Sequence, residues 1–347
     1  MALMFGDPAP TFATEGVSNP RYVFDSAAGR YLLLAIVPAG LAVARAVAMI
    51  ERQRAAFDDL NASAFVVIVG KDKGRKRRED SLPGLRFLFD DDAAVAALYD
   101  AADSERWCLI DPALHVMAII GADQAAALVD RTSTLPPPGR HGGPEGSAPV
   151  LLTPRIFEPA FCERLIALYR EIGGEPSGFM REVAGVTTLM TDRDHKRRSD
   201  VIIEDDPLQK QVVARLNRRL LPQIQKVFNF KATRIERYLV ARYDAGTGGF
   251  FRPHRDNTTK GTAHRRFAVS INLNADYEGG DLRFPEFGPR TYRPPPGGAV
   301  VFSCSVLHEA TEVTRGERFA FLPFLYDEAA AQIREANLKY LDPALTA

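Results

Sequence analysis

The chain has 347 residues, 46% of them hydrophobic and 25% charged, with Lys plus Arg equal to Asp plus Glu at 44 each. That length suits two domains better than one core, the composition is that of a soluble globular protein, and balanced charge gives no overall field toward nucleic acid or an acidic membrane. Cys108, Cys162 and Cys304 stand too far apart for a disulfide framework or a zinc cluster, which points to a reducing, cytoplasmic setting. At the start, "MALMFGDPAPTF" lacks the basic and apolar regions of a signal peptide. The longest apolar run, "YLLLAIVPAGLAVA", is broken by Pro38 and Gly40 and is too short to span a bilayer. Within it "YLLLAIVP" reads as a buried strand, "LAVARAVAMIERQRAAF" as an amphipathic helix, and "AFVVIVG" as a second buried strand. The basic run "KDKGRKRRED" could meet nucleic acid, but it follows that strand and is answered by Glu79, Asp80 and the later "DDD", so a solvated loop is the expectation. "LRFLF" is a third strand, "DDAAVAALYDA" a helix opened by acidic residues, and "RWCLID" with "HVMAII" a hairpin-like pair. Continuous apolar strands alternating with helices imply a sheet covered on both faces.

Proline and glycine fill half of "TSTLPPPGRHGGPEGSAP", and neither helix nor strand is expected through it. The expected organisation is an N-terminal domain over 1–131, a linker over 132–149 and a second domain over 150–347. In that domain "EPAFCERLIALYREI" and "DPLQKQVVARLNRRLLPQIQKVF" read as helices, with Pro222 marking a kink. From Arg234 onward short strands bounded by Gly, Pro, Asn and Asp follow one another, the pattern of a sandwich or barrel. "DEAAAQIREANLKYL" is a closing helix.

In "GGFFRPHRDNT", His254 and Asp256 are two residues apart, so on a strand both reach the same side. Alone, the pair reads equally well as a histidine on a solvated strand end. Farther on, "VVFSCSVLHEATEVTRGERFAFLPFLYD" puts His308 at the end of an apolar strand and Arg318 at the start of another. Two histidines and a carboxylate make the facial triad of non-haem Fe(II), with positions left open for substrate chemistry. An interior arginine needs an anionic partner, and its planar fork suits a carboxylate. Together they call for a small dicarboxylic cosubstrate.

The pieces "HKRRSDVII", "LVARYDAGTGGFFRPHRD", "SINLNADYEGGDLRFP" and "PPPGGAVVFSCSVLHEATEVTRGERFAF" cover roughly residues 150–327 in order. They resemble the prolyl-4-hydroxylase-like branch of the Fe(II)/2-oxoglutarate dioxygenases. The resemblance implies an α+β double-stranded β-helix, or jelly roll, with His254, Asp256 and His308 as catalytic iron ligands. It pairs Arg318 with the distal carboxylate of 2-oxoglutarate and lets the Tyr243 hydroxyl help hold that cosubstrate, with Asn272 and Asn274 on a strand lining the pocket. The implied reaction consumes O₂ and 2-oxoglutarate, releases succinate and CO₂, and hydroxylates an unactivated C–H of a peptidyl, prolyl-type residue or a small molecule. Ascorbate is the candidate reductant. His195 and His264, set among charges, read as solvated, although "TTKGTAHRRF" lies where a lid would sit; Arg198 and Ser199 are candidate substrate contacts. The alternative reading is a non-catalytic module that senses iron and 2-oxoglutarate.

Residues 3–130 resemble the peroxiredoxin/thioredoxin-like α/β fold through "FGDPAPTF", "DSAAGRYLLLAIVPAG", "AFVVIVGKDKG", "RFLFDDDAAVAALYDA" and "RWCLIDPALHVMAII". The family's nucleophilic thiol would open the helix after "YLLLAIVP", where a helix N-terminus lowers its pKa. Here that stretch is "PAGLAVARAV", so the resemblance implies fold without peroxidase activity. The expected role is a scaffold, or docking for a protein partner or a second copy, with no membrane or nucleic-acid partner.

Overall fold

In the computed structural model, which describes residues 2–102, 104–143 and 146–345, the run Tyr31–Pro38 is a strand buried from Tyr31 through Val37. It pairs in parallel with Ala62–Val69, which pairs in parallel with Leu85–Asp90, and antiparallel with Arg106–Ile110 on its other side. Arg106–Ile110 turns back antiparallel into Val116–Ile120. Helices Leu41–Glu51 and Ala125–Thr132 pack on this sheet through Val43, Ala46, Ile50, Leu128 and Val129. A parallel strand–helix–strand followed by an antiparallel hairpin and a closing helix is the thioredoxin-like arrangement. Gly40 and Leu41 stand where that fold would place a reactive thiol. Cys108 is fully buried in the strand Arg106–Ile110, and burial pushes its thiol up to about 12. A thiol that stays protonated at neutral pH is a small hydrophobe.

The basic run after Val69 forms a turn of 3-10 helix, Arg75–Arg77, whose charges are answered locally: Arg75 pairs with Glu15 and Asp91, and Arg78 with Asp72. The acidic opening of the next helix has a direct cause. Both oxygens of buried Asp90 accept backbone N–H bonds, from Val95 at 3.0 Å and Ala96 at 2.8 Å. Asp59 is held by the two Nη atoms of Arg86, each at 2.7 Å, and by the Ser63 hydroxyl at 2.6 Å. Burial alone would raise its carboxyl, but the Arg86 fork and Ser63 overcome that and hold it at about 2, against an ordinary 3.8. A depressed acid stabilises the fold above its unfolded pKa and loses that contribution as pH falls through its folded one. The Asp59–Arg86 pair is therefore expected to contribute about 2 kcal/mol at neutral pH, fading between about pH 4 and pH 2. Urea unfolding of Asp59→Asn should show a deficit of that size at pH 7 that closes over this window.

The chain divides into two units, Met1–Ala148 with Pro285–Pro289 and Pro149–Phe284 with Arg290–Ala347. The division is thus not purely linear. The second unit is a double-stranded β-helix. Its larger sheet runs in the order Arg234–Glu236, Phe324–Tyr326, Phe267–Asn272, Val313–Phe321, Leu239–Asp244, Ser199–Ile202, Glu175–Pro176. The smaller sheet runs Lys196–Arg197, Phe250–His254, His308–Ala310, Leu282–Arg283, Thr291–Tyr292. Alternation along the strands decides what faces where. Val240, Val269, Ile271, Phe319 and Phe321 point outward into a core closed by helix residues Leu165, Tyr169, Leu208, Val212 and Ile224. Their neighbours Tyr243, Ser270 and Arg318 point inward to a cavity. The long helix over residues 206–228 is interrupted as its proline requires. A π turn, Leu216–Leu220, separates Asp206–Arg215 from Leu221–Phe228, so Pro222 enters a first turn where no N–H is needed. Among the described residues no helix is long and apolar enough to cross a membrane.

Candidate metal centre

His254 ends the strand Phe250–His254, His308 begins His308–Ala310, and the two are direct antiparallel partners with a bulge between Phe251 and His254. Asp256 follows in a loop tied down by its backbone N–H, which donates to the Cys304 carbonyl at 2.9 Å. One donor atom from each of His254, Asp256 and His308 lies within 4.8 Å of the others. Nε2 of His254 is 3.6 Å from one Asp256 oxygen, and Nε2 of His308 is 3.3 Å from the other. In both rings Nδ1 donates to the backbone carbonyl two residues earlier, Arg252 at 2.8 Å and Val306 at 3.0 Å. Those bonds fix the tautomer and leave both Nε2 lone pairs aimed at the carboxylate, as metal-ligating histidines require. Burial, with His308 beside it, holds His254 well below its ordinary range, in the neutral form that binds metal. The rings are locked by aromatic neighbours: His254 stacks on Phe251 at 3.5 Å between centroids, and His308 packs on Phe302 at 4.5 Å. A pre-oriented His₂–carboxylate set, with the two histidines on paired strands and Asp256 in the loop after the first, fits a divalent ion such as Fe(II).

The three residues open on a cavity of about 490 Å³ between the two sheets. Arg318 lies on its far wall, 2% exposed. Nε and Nη2 donate to Asn272 Oδ1 at 3.2 and 3.1 Å, Nη2 also donates to Ser270 Oγ at 2.7 Å, and the guanidinium lies 5.3 Å from the ring centre of Tyr243, its cross-strand partner. All these partners are neutral. No carboxylate among the described residues pairs with Arg318, and its Nη1 makes no hydrogen bond to them. A buried guanidinium held in place without an anion can receive one. The Tyr243 hydroxyl accepts from Arg198 Nη1 at 3.4 Å, which leaves its own proton available to a ligand.

The other sequence-derived candidates sort differently. Asn272 does not line the cavity; it positions Arg318 and is itself held, its Nδ2 donating to Tyr277 Oη at 2.8 Å and the Pro294 carbonyl at 3.0 Å. Asn274 does not join the site. It donates to the Glu317 carbonyl at 2.7 Å and accepts from Phe319 N–H at 2.9 Å, clamping the backbone on either side of Arg318. Ser199 faces away, bonded to Tyr169 Oη at 2.5 Å, whereas Arg198 and His195 line the cavity. The solvated reading of His264 is overturned: it is 2% exposed and bonded to Glu236 at 2.8 Å. The stretch around it is anchored by the same carboxylate, which Arg265 grips at 2.6 and 2.9 Å. The reading from sequence missed Ser270, Glu236, Arg237 and Arg265. Ser270 had a usable signal, because in "FAVSIN" it shares a face with Asn272.

Residues 238–326 match the model of the 2OG-Fe(II) oxygenase superfamily. A PKHD-type hydroxylase of Nitrosomonas europaea is 28% identical over 178 residues, which cover 47% of this chain and 75% of that protein. A PKHD-type hydroxylase of a Synechococcus strain is 26% identical over 125 residues, covering 34% of this chain and 53% of the relative. Among solved structures, a Pseudomonas putida prolyl-4-hydroxylase aligns over 52% of this chain and 92% of its own, with 19% identity and a TM-score of 0.41.

Proposed function

We propose that the second unit, a 2OG-Fe(II) oxygenase domain, is a hydroxylase in which His254, Asp256 and His308 hold Fe(II) and Arg318 receives the distal carboxylate of 2-oxoglutarate. One observation carries the reading: three converging metal donors and an arginine without an anionic partner face one cavity. Bound iron supplies the activation of O₂ coupled to decarboxylation of 2-oxoglutarate to succinate and CO₂. The protein's own residues do the rest. Ser270 and Asn272 hold the Arg318 fork at a fixed angle, so the cosubstrate's far carboxylate would be held at a fixed place. The Tyr243 hydroxyl is free to donate a second bond to the same carboxylate. Phe251, Leu282, Phe302 and Ala310 give the metal side of the cavity an apolar wall that excludes water.

The substrate is a C–H of a peptidyl, prolyl-type residue or of a small molecule, with ascorbate as reductant in this reading. The first unit is a scaffold or docking domain, and its lack of a thiol at the helix start supports that role. A reducing, cytoplasmic setting is supported by three buried free cysteines. Under anaerobic conditions, Fe(II) plus 2-oxoglutarate is expected to give a weak visible charge-transfer band. Admitting O₂ should then release succinate, and a product heavier by one oxygen should follow with substrate. Absence of the band rejects the site. A band without succinate rejects the hydroxylase in favour of a sensing module.

A further inference from the structure

We infer that the cavity contains a second anion receptor, built around Arg237, that takes a carboxylate carried by the substrate; this deepens, and rests on, the hydroxylase reading above. The backbone makes the first case. Ile235 and Tyr238 both pack against the outer core, while Glu236 and Arg237 both line the cavity. Regular alternation would send one of two successive residues outward. It is broken at Arg237, whose φ of +67° lies in the left-handed region that a long side chain adopts only under strain. The fold thus bears local strain to turn this cation inward.

Partners make the second case. Apart from Arg318, the other cations set into this wall have partners. Lys196 donates to Ser177 Oγ at 2.8 Å and the Gly178 carbonyl at 2.5 Å, Arg198 pairs with Asp200 at 2.6 Å, and Arg265 pairs with Glu236 at 2.6 Å. Glu236 is further engaged by His264 at 2.8 Å, and the bonded oxygen of Asp200 by Ser177 at 2.6 Å. Arg237 makes no hydrogen bond or ion pair to the described residues. It lies 4.1 Å from the ring centre of Phe324, and its Nε is buried without an acceptor. Burial and nearby Arg265 pull its guanidinium down to about 10, so it remains charged at neutral pH. Glu236 and Asp200 act on it only through space and are bonded to other cations, so a charge so placed gains from an anion that can bond to it directly.

Geometry separates this receptor from Arg318. Arg318 is held by Ser270 and Asn272, whereas Phe324, over which Arg237 lies, pairs with Ala268 on the same strand. Ala268 and Ser270 are successive cavity-lining positions, and Asn272 follows on the same face behind Arg318. The two cations therefore take two anionic groups side by side: the distal carboxylate of 2-oxoglutarate and an acid on the molecule to be hydroxylated.

The test uses the full chain loaded with Mn(II) and saturating 2-oxoglutarate, and reads paramagnetic relaxation of ¹³C-acetate against ¹³C-acetamide at constant ionic strength. Acetate should be relaxed saturably and acetamide not, and Arg237→Gln should weaken acetate binding by about tenfold or more. Arg237→Lys, which keeps the charge, should restore part of it. Unrelaxed acetate in the parent chain, or equal relaxation in Arg237→Gln, overturns the receptor. Failure of ¹³C-labelled 2-oxoglutarate itself to be relaxed overturns the hydroxylase reading as well. Competition by free glutamate or by a capped Gly-Glu-Gly peptide distinguishes a free acid from an acidic residue in a chain. If neither displaces acetate, the site holds an adventitious ion only and the substrate assignment fails.

Discussion

His308→Ala is expected to abolish succinate release and the anaerobic charge-transfer band together, with Fe(II) affinity lowered by well over about a hundredfold. Changing a residue that merely orients a metal ligand costs about 10–100-fold, and removing a ligand exceeds that. The two remaining donors, His254 and Asp256, cannot compensate, because their atoms are placed by the Arg252 carbonyl and the Cys304 contact and not by each other. A second readout separates loss of metal from loss of fold. Metal that binds only the native state raises unfolding free energy by about 2.7 kcal/mol at a hundredfold excess over its Kd. Mn(II) should therefore raise the melting temperature of the parent chain and leave that of His308→Ala where it was. A variant still stabilised by Mn(II) would remove His308 from the ligand set.

How much of this was legible beforehand depends on which physical signals are local. Continuous apolar runs and period-two alternation are local, so the strands Tyr31–Pro38, Ala62–Val69 and Phe267–Asn272 could be read directly. The spacing of His254 and Asp256 was legible too, and His308 at a strand end gave it a partner. Long-range neutralisation is not local. His264 sits in a run of charges that reads as solvated, yet Glu236, 28 residues away, gives it and Arg265 a buried acid. Asn274 follows the pocket-lining strand, but two backbone groups claimed its amide, and nothing in the residue string announces such a clamp. The break in alternation at Arg237 is visible only as a backbone angle, which is why a candidate substrate contact went unseen.

Arg318→Met is expected to separate cosubstrate binding from everything else. Losing one partner of a buried, hydrogen-bonded charge pair costs about 2–5 kcal/mol, so the KM for 2-oxoglutarate should rise on the order of a hundredfold or more. At saturating cosubstrate kcat should recover much of its value, because His254 and His308 sit on the other sheet and Asp256 in the loop that follows His254. Stability behaves differently. The substitution deprives Asn272 Oδ1 and Ser270 Oγ of their donor, a cost of about 1–3 kcal/mol, but it also removes a buried cation that has no acid to pair with in the ligand-free protein. These terms oppose each other, and unfolding free energy without ligand should stay within about 1 kcal/mol of the parent. Added 2-oxoglutarate should then stabilise the parent and not the variant. Arg318→Lys keeps the charge without the fork and should fall between the two, since a point charge cannot engage Asn272, Ser270 and a carboxylate at once. An unchanged KM in Arg318→Met would mean that the cosubstrate's far end is held elsewhere, and Arg237 would be the residue to test next.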